Sequence, residues 1–148
     1  MADASTCESY GMMRRPVHIV LVCGFVVVLG IWTYLLITPQ PVPEKLFDGM
    51  SWFDKEMLIF LLAKATHLCV YAGFAFGAAL LFRTNWCRWF VWLGLIVHGA
   101  TTETAQYLLR ETHHRHGCIR DVLIDATGVA IGAYAGRWFV RRFRSVGE

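Results

Sequence analysis

The first long apolar segment indicates the fold class: residues 17–38 read VHIVLVCGFVVVLGIWTYLLIT. These 22 residues contain no Asp, Glu, Lys or Arg, and Arg14 and Arg15 precede them. A helix needs roughly 20 apolar residues to cross a bilayer. A secretory signal peptide has a shorter apolar core of about 7–15 residues, followed by a small-residue cleavage site. Here a proline-containing connector follows the segment instead, so we predict a retained transmembrane helix.

Three further apolar segments follow, at residues 57–82, 89–109 and 119–140. The composition of the whole chain supports this reading. Of its 148 residues, 56% are hydrophobic and 17% are charged, which is too apolar for a soluble domain of this size. We therefore predict an all-α integral membrane protein, with a bundle of about four transmembrane helices. One transmembrane domain is expected at residues 17–140, between an N-terminal tail at 1–16 and a basic C-terminal tail at 141–148.

The distribution of basic residues predicts the orientation. Eight Lys or Arg residues lie near one set of segment ends and five near the other, and three of the eight, Arg141, Arg142 and Arg144, follow the last segment. Basic residues are retained on the cytoplasmic side. We therefore expect both termini in the cytoplasm and a multi-pass location in the plasma membrane. The net charge of +3 is not gathered into a stripe, so the sequence predicts no nucleic-acid partner.

Polar side chains within the last three segments fall on shared helix faces. At ~100° per residue, each set spans ~60° or less. The sets are Lys64, His67 and Tyr71; Glu103 and Gln106; and Asp121 and Asp125, which share their stripe with Gly128 and Gly132. Inserting a charged residue near the centre of a membrane span costs about 2.5–3.5 kcal/mol of free energy. Polar helix faces therefore normally point toward the protein interior. With a rise of ~1.5 Å per residue, all three sets lie ~5–15 Å from the external helix ends. We predict a shallow polar pocket that opens outward.

Other residues have simpler expected roles. Small residues allow close helix approach, so Gly128 and Gly132, and also Gly73 and Gly77, are expected in helix packing. Four tryptophans are expected as interfacial anchors: Trp86, Trp89, Trp92 and Trp138. The loop residues His113, His114, His116 and Cys118 lack the pairwise spacing of a folded zinc site. The sequence therefore assigns no metal site and no cofactor.

The combined spacing resembles the VanZ-like family of small membrane proteins, named for an accessory protein of teicoplanin and other glycopeptide resistance. In that family, Lys-x-x-His-x-x-x-Tyr is followed by Glu-x-x-Gln, by an Arg six residues before an Asp, and by Asp-x-x-x-Asn-x-x-Gly-x-x-x-Gly. The matching positions here are Lys64, His67, Tyr71, Glu103, Gln106, Arg115, Asp121, Asp125, Gly128 and Gly132. This chain departs from the pattern with Ala63 in place of an Asp, Asp125 in place of the Asn, and a longer segment before Arg115. The resemblance implies a role at the cell envelope, without a defined reaction.

The preferred hypothesis is a binding or accessory protein that holds a membrane lipid, a lipid-linked envelope precursor or an amphiphilic antibiotic such as a glycopeptide. In it, Lys64 and Arg115 face phosphate or carboxylate, while Gln106 and Tyr71 donate hydrogen bonds. A small membrane enzyme acting on a lipid head group is the alternative, with His67 or Glu103 as general base and Lys64 or Arg115 stabilising negative charge. The sequence does not decide whether the protein is an enzyme.

Two other hypotheses remain. The charged groups can form a neutral network that only ties the helices together, because buried ion pairs often stabilise no more than apolar packing does. Intramembrane Glu, Asp and His can also relay protons in a transporter, for which four helices are few without oligomerisation. The glycine-bearing surface of the last segment could pack against an internal helix or against a second subunit equally well. The sequence therefore does not decide whether the protein is an oligomer.

Overall fold

The computed structural model describes residues 4–38, 49, 51–82, 84–109 and 119–144, and within them the chain forms four helices and no strand. The helices are α1 (Ala4–Ile37), α2 (Trp52–Leu81), α3 (Asn85–Leu108) and α4 (Ile119–Arg144). The predicted all-helical class is confirmed. The helices extend beyond the apolar segments, since α1 begins within the predicted N-terminal tail and α4 ends within the predicted C-terminal tail.

Hydroxyl side chains begin two of these helices. Ser51 Oγ accepts a hydrogen bond from the backbone amide of Asp54 at the start of α2, and Thr84 Oγ1 accepts one from the amide of Cys87 at the start of α3. The first amides of a helix have no partner within it, so such caps help to define where each helix starts.

Two helices are long and apolar enough to cross a membrane. The qualifying segments are Pro16–Ile37 in α1 and Met57–Leu81 in α2, and most of their side chains are not buried within the protein. A large apolar surface of this kind needs a non-aqueous neighbour. Helices α3 and α4 carry more polar side chains and do not meet the same criterion.

Helix α1 runs antiparallel to α2. At one end, the imidazole Nε2 of His18 donates to the carbonyl oxygen of Leu81 over 2.9 Å. At the other end, the rings of Trp32 and His67 meet edge to face with their centroids 5.8 Å apart. Rising residue numbers in α1 are therefore paired with falling numbers in α2.

Helix α3 is also antiparallel to α2. The indole Nε1 of Trp92 donates to the carbonyl of Ala75 over 3.0 Å. Further along α3, His98 contacts Tyr71, which precedes Ala75 in α2. Trp92 is only 4% exposed. The expectation that Trp92 is an interfacial anchor is therefore wrong, because its indole N–H is used inside the protein.

Helix α4 runs parallel to α2 and approaches it closely. A Cβ placed on Gly128 would lie 2.6 Å from the carbonyl oxygen of Leu68, and one on Gly132 would overlap the carbonyl of Ala72. Small residues allow this backbone contact between helices. A Cβ on Gly73, by contrast, would meet no described atom within 4 Å, so the expectation that Gly73 serves helix packing is wrong.

The four helices therefore alternate in direction, with α2 contacting each of the other three. A buried core forms where α2, α3 and α4 meet; its members are Tyr71, Phe74, Ala75, Ala78, Ala79, Trp92, Leu95 and Val129. Alanines on α2 keep the helices close, and the large side chains of α3 fill the remaining space. This core adjoins a group of polar side chains through Tyr71, which belongs to both.

Candidate functional site

A layered group of polar side chains lies between the middle of α2, the second half of α3 and the start of α4. We call this group the polar cluster; its members are Lys64, His67, Tyr71, His98, Glu103, Asp121 and Asp125. All of them except His98 were predicted as site residues from the sequence. They come from three helices and meet between them.

The outermost layer is an ion pair between α2 and α4. The ammonium Nζ of Lys64 donates to Oδ1 of Asp121. Asp121 lies in the first turn of α4, where the positive end of the helix dipole favours a carboxylate. The side chain of Lys64 is 24% exposed and that of Asp121 is 9% exposed. Lys64 is therefore the member of this layer that the surroundings can reach.

The middle layer pairs an imidazole with a carboxylate. Nδ1 of His67 lies 3.0 Å from Oδ1 of Asp125, one turn deeper in both helices than the Lys64–Asp121 pair. Asp125 is 1% exposed, and the ring of Trp32 packs against the histidine. The orientation of the His67 ring is thus set from two sides, which leaves its Nε2 as the nitrogen available to another group.

Glu103 of α3 completes this layer. It is 4% exposed, and one donor atom from each of His67, Glu103 and Asp125 lies within 4.8 Å of the other two. The second carboxylate oxygen of Asp125, Oδ2, is buried and accepts no hydrogen bond from the described residues. We call these three residues the triad; their donor types could hold a cation or exchange a proton.

The innermost layer is a chain of hydrogen bonds centred on His98. Its Nδ1 lies 2.9 Å from the hydroxyl of Tyr71, and its Nε2 lies 2.8 Å from Oγ1 of Thr33. Thr33 donates its single hydroxyl proton to the carbonyl of Leu29 over 2.8 Å. Because that proton is already used, the Thr33 oxygen accepts from the Nε2–H of His98. The other ring nitrogen, Nδ1, then accepts a hydrogen bond from the Tyr71 hydroxyl. The layer links α1, α2 and α3.

Sequence reasoning missed His98 for a geometric reason. Glu103 follows His98 by five positions, which places the two side chains ~140° apart around α3. His98 therefore lies outside the polar face that the spacing of Glu103 and Gln106 defines. Only the packing of α1 and α2 against α3 shows that both sides of α3 are polar at this level.

A glycine makes room for the triad on α3. A Cβ on Gly99 would lie 2.9 Å from Oδ2 of Asp125 and 3.4 Å from the hydroxyl of Tyr71. A larger residue at this position would displace the Asp125 carboxylate or separate α3 from α4. Gly99 lies one helical turn before Glu103, so the close approach also brings that carboxylate to Asp125.

Two other predicted site residues have different positions. The buried side chain of Gln106 donates from Nε2 to the carbonyl of Leu36 over 3.1 Å, where it satisfies a backbone oxygen at the end of α1. Arg115 lies outside the described residues, as do the loop residues His113, His114, His116 and Cys118.

Two apolar depressions lie on the sides of the bundle. A cleft of about 420 Å³ between α2 and α4 is lined by Leu61, Lys64, Ala65, Leu68, Leu123 and Ile124, among others. A larger groove of about 750 Å³ between α3 and α4 is lined by six aromatic side chains among others, with Arg137 and Arg141 also in its wall. Lys64 alone belongs both to the polar cluster and to the wall of one of these two depressions.

Comparison with known proteins gives one match. A family model described as VanZ/LLP1 matches residues 25–140. No curated protein and no solved structure matches the chain. The matched range extends from the middle of α1 almost to the end of α4, and it includes every member of the polar cluster.

Proposed function

Because this chain belongs to the VanZ/LLP1 family, we propose that it is a multi-pass protein of the plasma membrane that binds an anionic amphiphile beside the polar cluster. The ligand classes are an envelope lipid, a lipid-linked precursor and an amphiphilic antibiotic. The observation that carries the proposal is the position of Lys64, whose ammonium belongs to the cluster while its side chain lines the apolar cleft between α2 and α4.

The alternating helix directions support four membrane crossings. Helices α3 and α4 lie alongside the apolar segment of α2, with Trp92 against Ala75 and Gly132 against Ala72. If α2 crosses the bilayer, its neighbours occupy the same depth. Their charged side chains are then shielded by one another, which is how such groups are tolerated within a membrane.

The cleft fits an amphiphile because its wall combines apolar side chains with one charged side chain. Leu61, Leu68 and Leu123 offer apolar surface to an acyl chain. The ammonium of Lys64 can meet a phosphate or carboxylate through a charge-assisted hydrogen bond. Asp121 holds that ammonium, so a bound anion shares it with the Asp121 carboxylate or replaces that carboxylate.

The energetic cost of the cluster favours a functional role over a structural one. Each charged side chain deep in a span costs about 2.5–3.5 kcal/mol, and apolar packing would tie helices together at least as well as a buried ion pair. The chain nevertheless places two acid–base pairs on the same faces of α2 and α4.

Native mass spectrometry of the purified protein tests the proposal by counting co-purified anionic lipid. Lys64→Met removes the ammonium and should abolish lipid retention. Asp121→Asn frees the ammonium from its competitor and should preserve or increase retention. Thr101→Ala is the matched control, because Thr101 is exposed on α3 and its hydroxyl donates to the carbonyl of Val97 in the same helix.

The two substitutions also distinguish binding from a purely structural network. In a purely structural network, Lys64→Met and Asp121→Asn break the same ion pair, so both would lower stability, with no lipid in any sample. That result would rule out the binding proposal. In cells, Lys64→Met should also reduce tolerance to envelope-directed drugs if binding matters there.

The His67–Asp125 pair favours an enzyme as the second candidate. A carboxylate bonded to one imidazole nitrogen orients the other nitrogen as a general base, and Glu103 lies beside this pair. Turnover of lipid head groups by the wild type, lost in His67→Gln and Glu103→Gln but retained in Thr101→Ala, would promote the enzyme. Absence of turnover across phosphate- and ester-containing head groups would reject it.

A further inference from the structure

The donor types and convergence of the triad are those of a metal site. His67, Glu103 and Asp125 come from α2, α3 and α4 respectively, and their donor atoms lie within 4.8 Å of one another. We propose that the triad binds one divalent first-row transition-metal ion, with Zn²⁺ as the representative. This inference does not rest on lipid binding at Lys64.

The geometry needs only a small adjustment. Imidazole nitrogen and carboxylate oxygen lie about 2.0–2.2 Å from Zn²⁺, so two ligands at tetrahedral angles are about 3.4 Å apart. Rotation of the Glu103 and Asp125 side chains can provide the remaining closure of about 1.4 Å. Gly99 already brings α3 close to the Asp125 carboxylate.

A divalent ion suits the charge of the triad, because two of its three residues are carboxylates in a buried position. Oδ2 of Asp125 is also a buried acceptor with no donor among the described residues, and a metal ion would give that oxygen a partner.

The ligand set indicates which ions fit. One imidazole with two carboxylates is a borderline-to-hard set, which suits Zn²⁺, Mn²⁺ or Fe²⁺. Cu⁺ prefers thiolates, and among the described cysteines none belongs to the triad. Ca²⁺ takes six to eight oxygens, more than this site offers. Three protein ligands leave a coordination position for water or an oxygen of a bound molecule.

The test uses full-length protein purified without a histidine tag, stripped with a chelator and titrated with Zn²⁺. We expect one Zn²⁺ per chain by elemental analysis, and at least about tenfold weaker binding in each of Glu103→Gln, Asp125→Asn and His67→Gln. Thr104→Ala is the matched control, since Thr104 is exposed next to Glu103 and its hydroxyl donates to Ala100 of the same helix, so its loss should leave Zn²⁺ affinity unchanged. Circular dichroism and gel filtration establish that each variant is folded.

A second variant separates the triad from the loop histidines. The combined His113→Asn, His114→Asn and His116→Asn variant keeps the triad intact and should retain Zn²⁺ and the visible absorption of a bound Co²⁺. Loss of both in this variant would overturn the proposal, as would a wild type that binds no ion, or triad variants that bind as tightly as the wild type. If the triad variants do not fold, the cobalt spectrum of the loop variant decides: retention supports the triad and loss refutes it.

Discussion

Gly132 of α4 lies directly on the backbone of Ala72 in α2, and a Cβ at position 132 would overlap the Ala72 carbonyl. Gly128 makes a similar contact one turn earlier. This parallel contact sets the spacing of α2 and α4, and with it the distance across which Lys64 meets Asp121 and His67 meets Asp125. The glycines of the last helix therefore position the polar cluster as well as the core.

We predict that Gly132→Ala destabilises the protein by about 1–3 kcal/mol, because the added methyl group must push two packed backbones apart. Thermal unfolding in detergent, followed by circular dichroism, measures the change. Gly73→Ala is the matched control on α2, since a Cβ there meets no described atom within 4 Å. The control should be neutral or slightly stabilising, because alanine favours the helix by about 0.5–1 kcal/mol over glycine. Equal effects at both positions would contradict the close contact.

The sequence predicts the helical class and most of the polar cluster because both depend on local spacing. Residues three or four apart share a helix face, so Lys64 with His67 and Asp121 with Asp125 are visible without a structure. Their partners across helices are not visible, because they depend on the relative rotation of α2 and α4. The triad is hidden for that reason, since its three donors come from three helices.

Other errors come from residues whose role depends on a neighbouring helix. Trp92 has the same sequence environment as the exposed Trp89, yet α2 covers it and Ala75 accepts its N–H. Gly73 and Gly132 both look like packing glycines, but only Gly132 faces a neighbouring backbone. His98 is polar within an apolar segment, and only its contacts with Tyr71 and Thr33 give it a role.

The hydroxyl of Tyr71 should contribute measurably to stability. Tyr71→Phe leaves Nδ1 of His98 without its donor, and a lost buried hydrogen bond with an unsatisfied partner costs about 1–3 kcal/mol. Tyr134→Phe is the matched control, because Tyr134 is 76% exposed on α4 and should change stability by less than about 0.5 kcal/mol. Similar melting temperatures for the two variants would show that the Tyr71–His98 bond is not formed in solution.

The Lys64–Asp121 pair should show coupling in a double-mutant cycle. We expect Lys64→Met alone to destabilise the protein by about 1–3 kcal/mol, because it leaves the largely buried Asp121 carboxylate without its ammonium partner. A fully buried pair would lose roughly 3–5 kcal/mol, and the partial exposure of Lys64 keeps the expected loss below that value. Lys64→Met combined with Asp121→Asn removes both charges and should recover at least half of the loss. Unfolding of all three variants under the same conditions provides the cycle. Additive losses would indicate that the two side chains do not interact.

Membrane topology gives the broadest test, because it depends on whether α3 and α4 cross the bilayer as α1 and α2 can. We expect a fluorescent-protein fusion at either terminus to be bright and an alkaline-phosphatase fusion at either terminus to be inactive, as both ends should lie in the cytoplasm. Replacing Arg141, Arg142 and Arg144 by Gln leaves five basic residues near each set of helix ends, so the orientation preference should weaken and both reporters should become partly active. Termini on opposite sides would mean an odd number of crossings. In that case α3 or α4 would lie outside the bilayer, and the polar cluster would be at its surface.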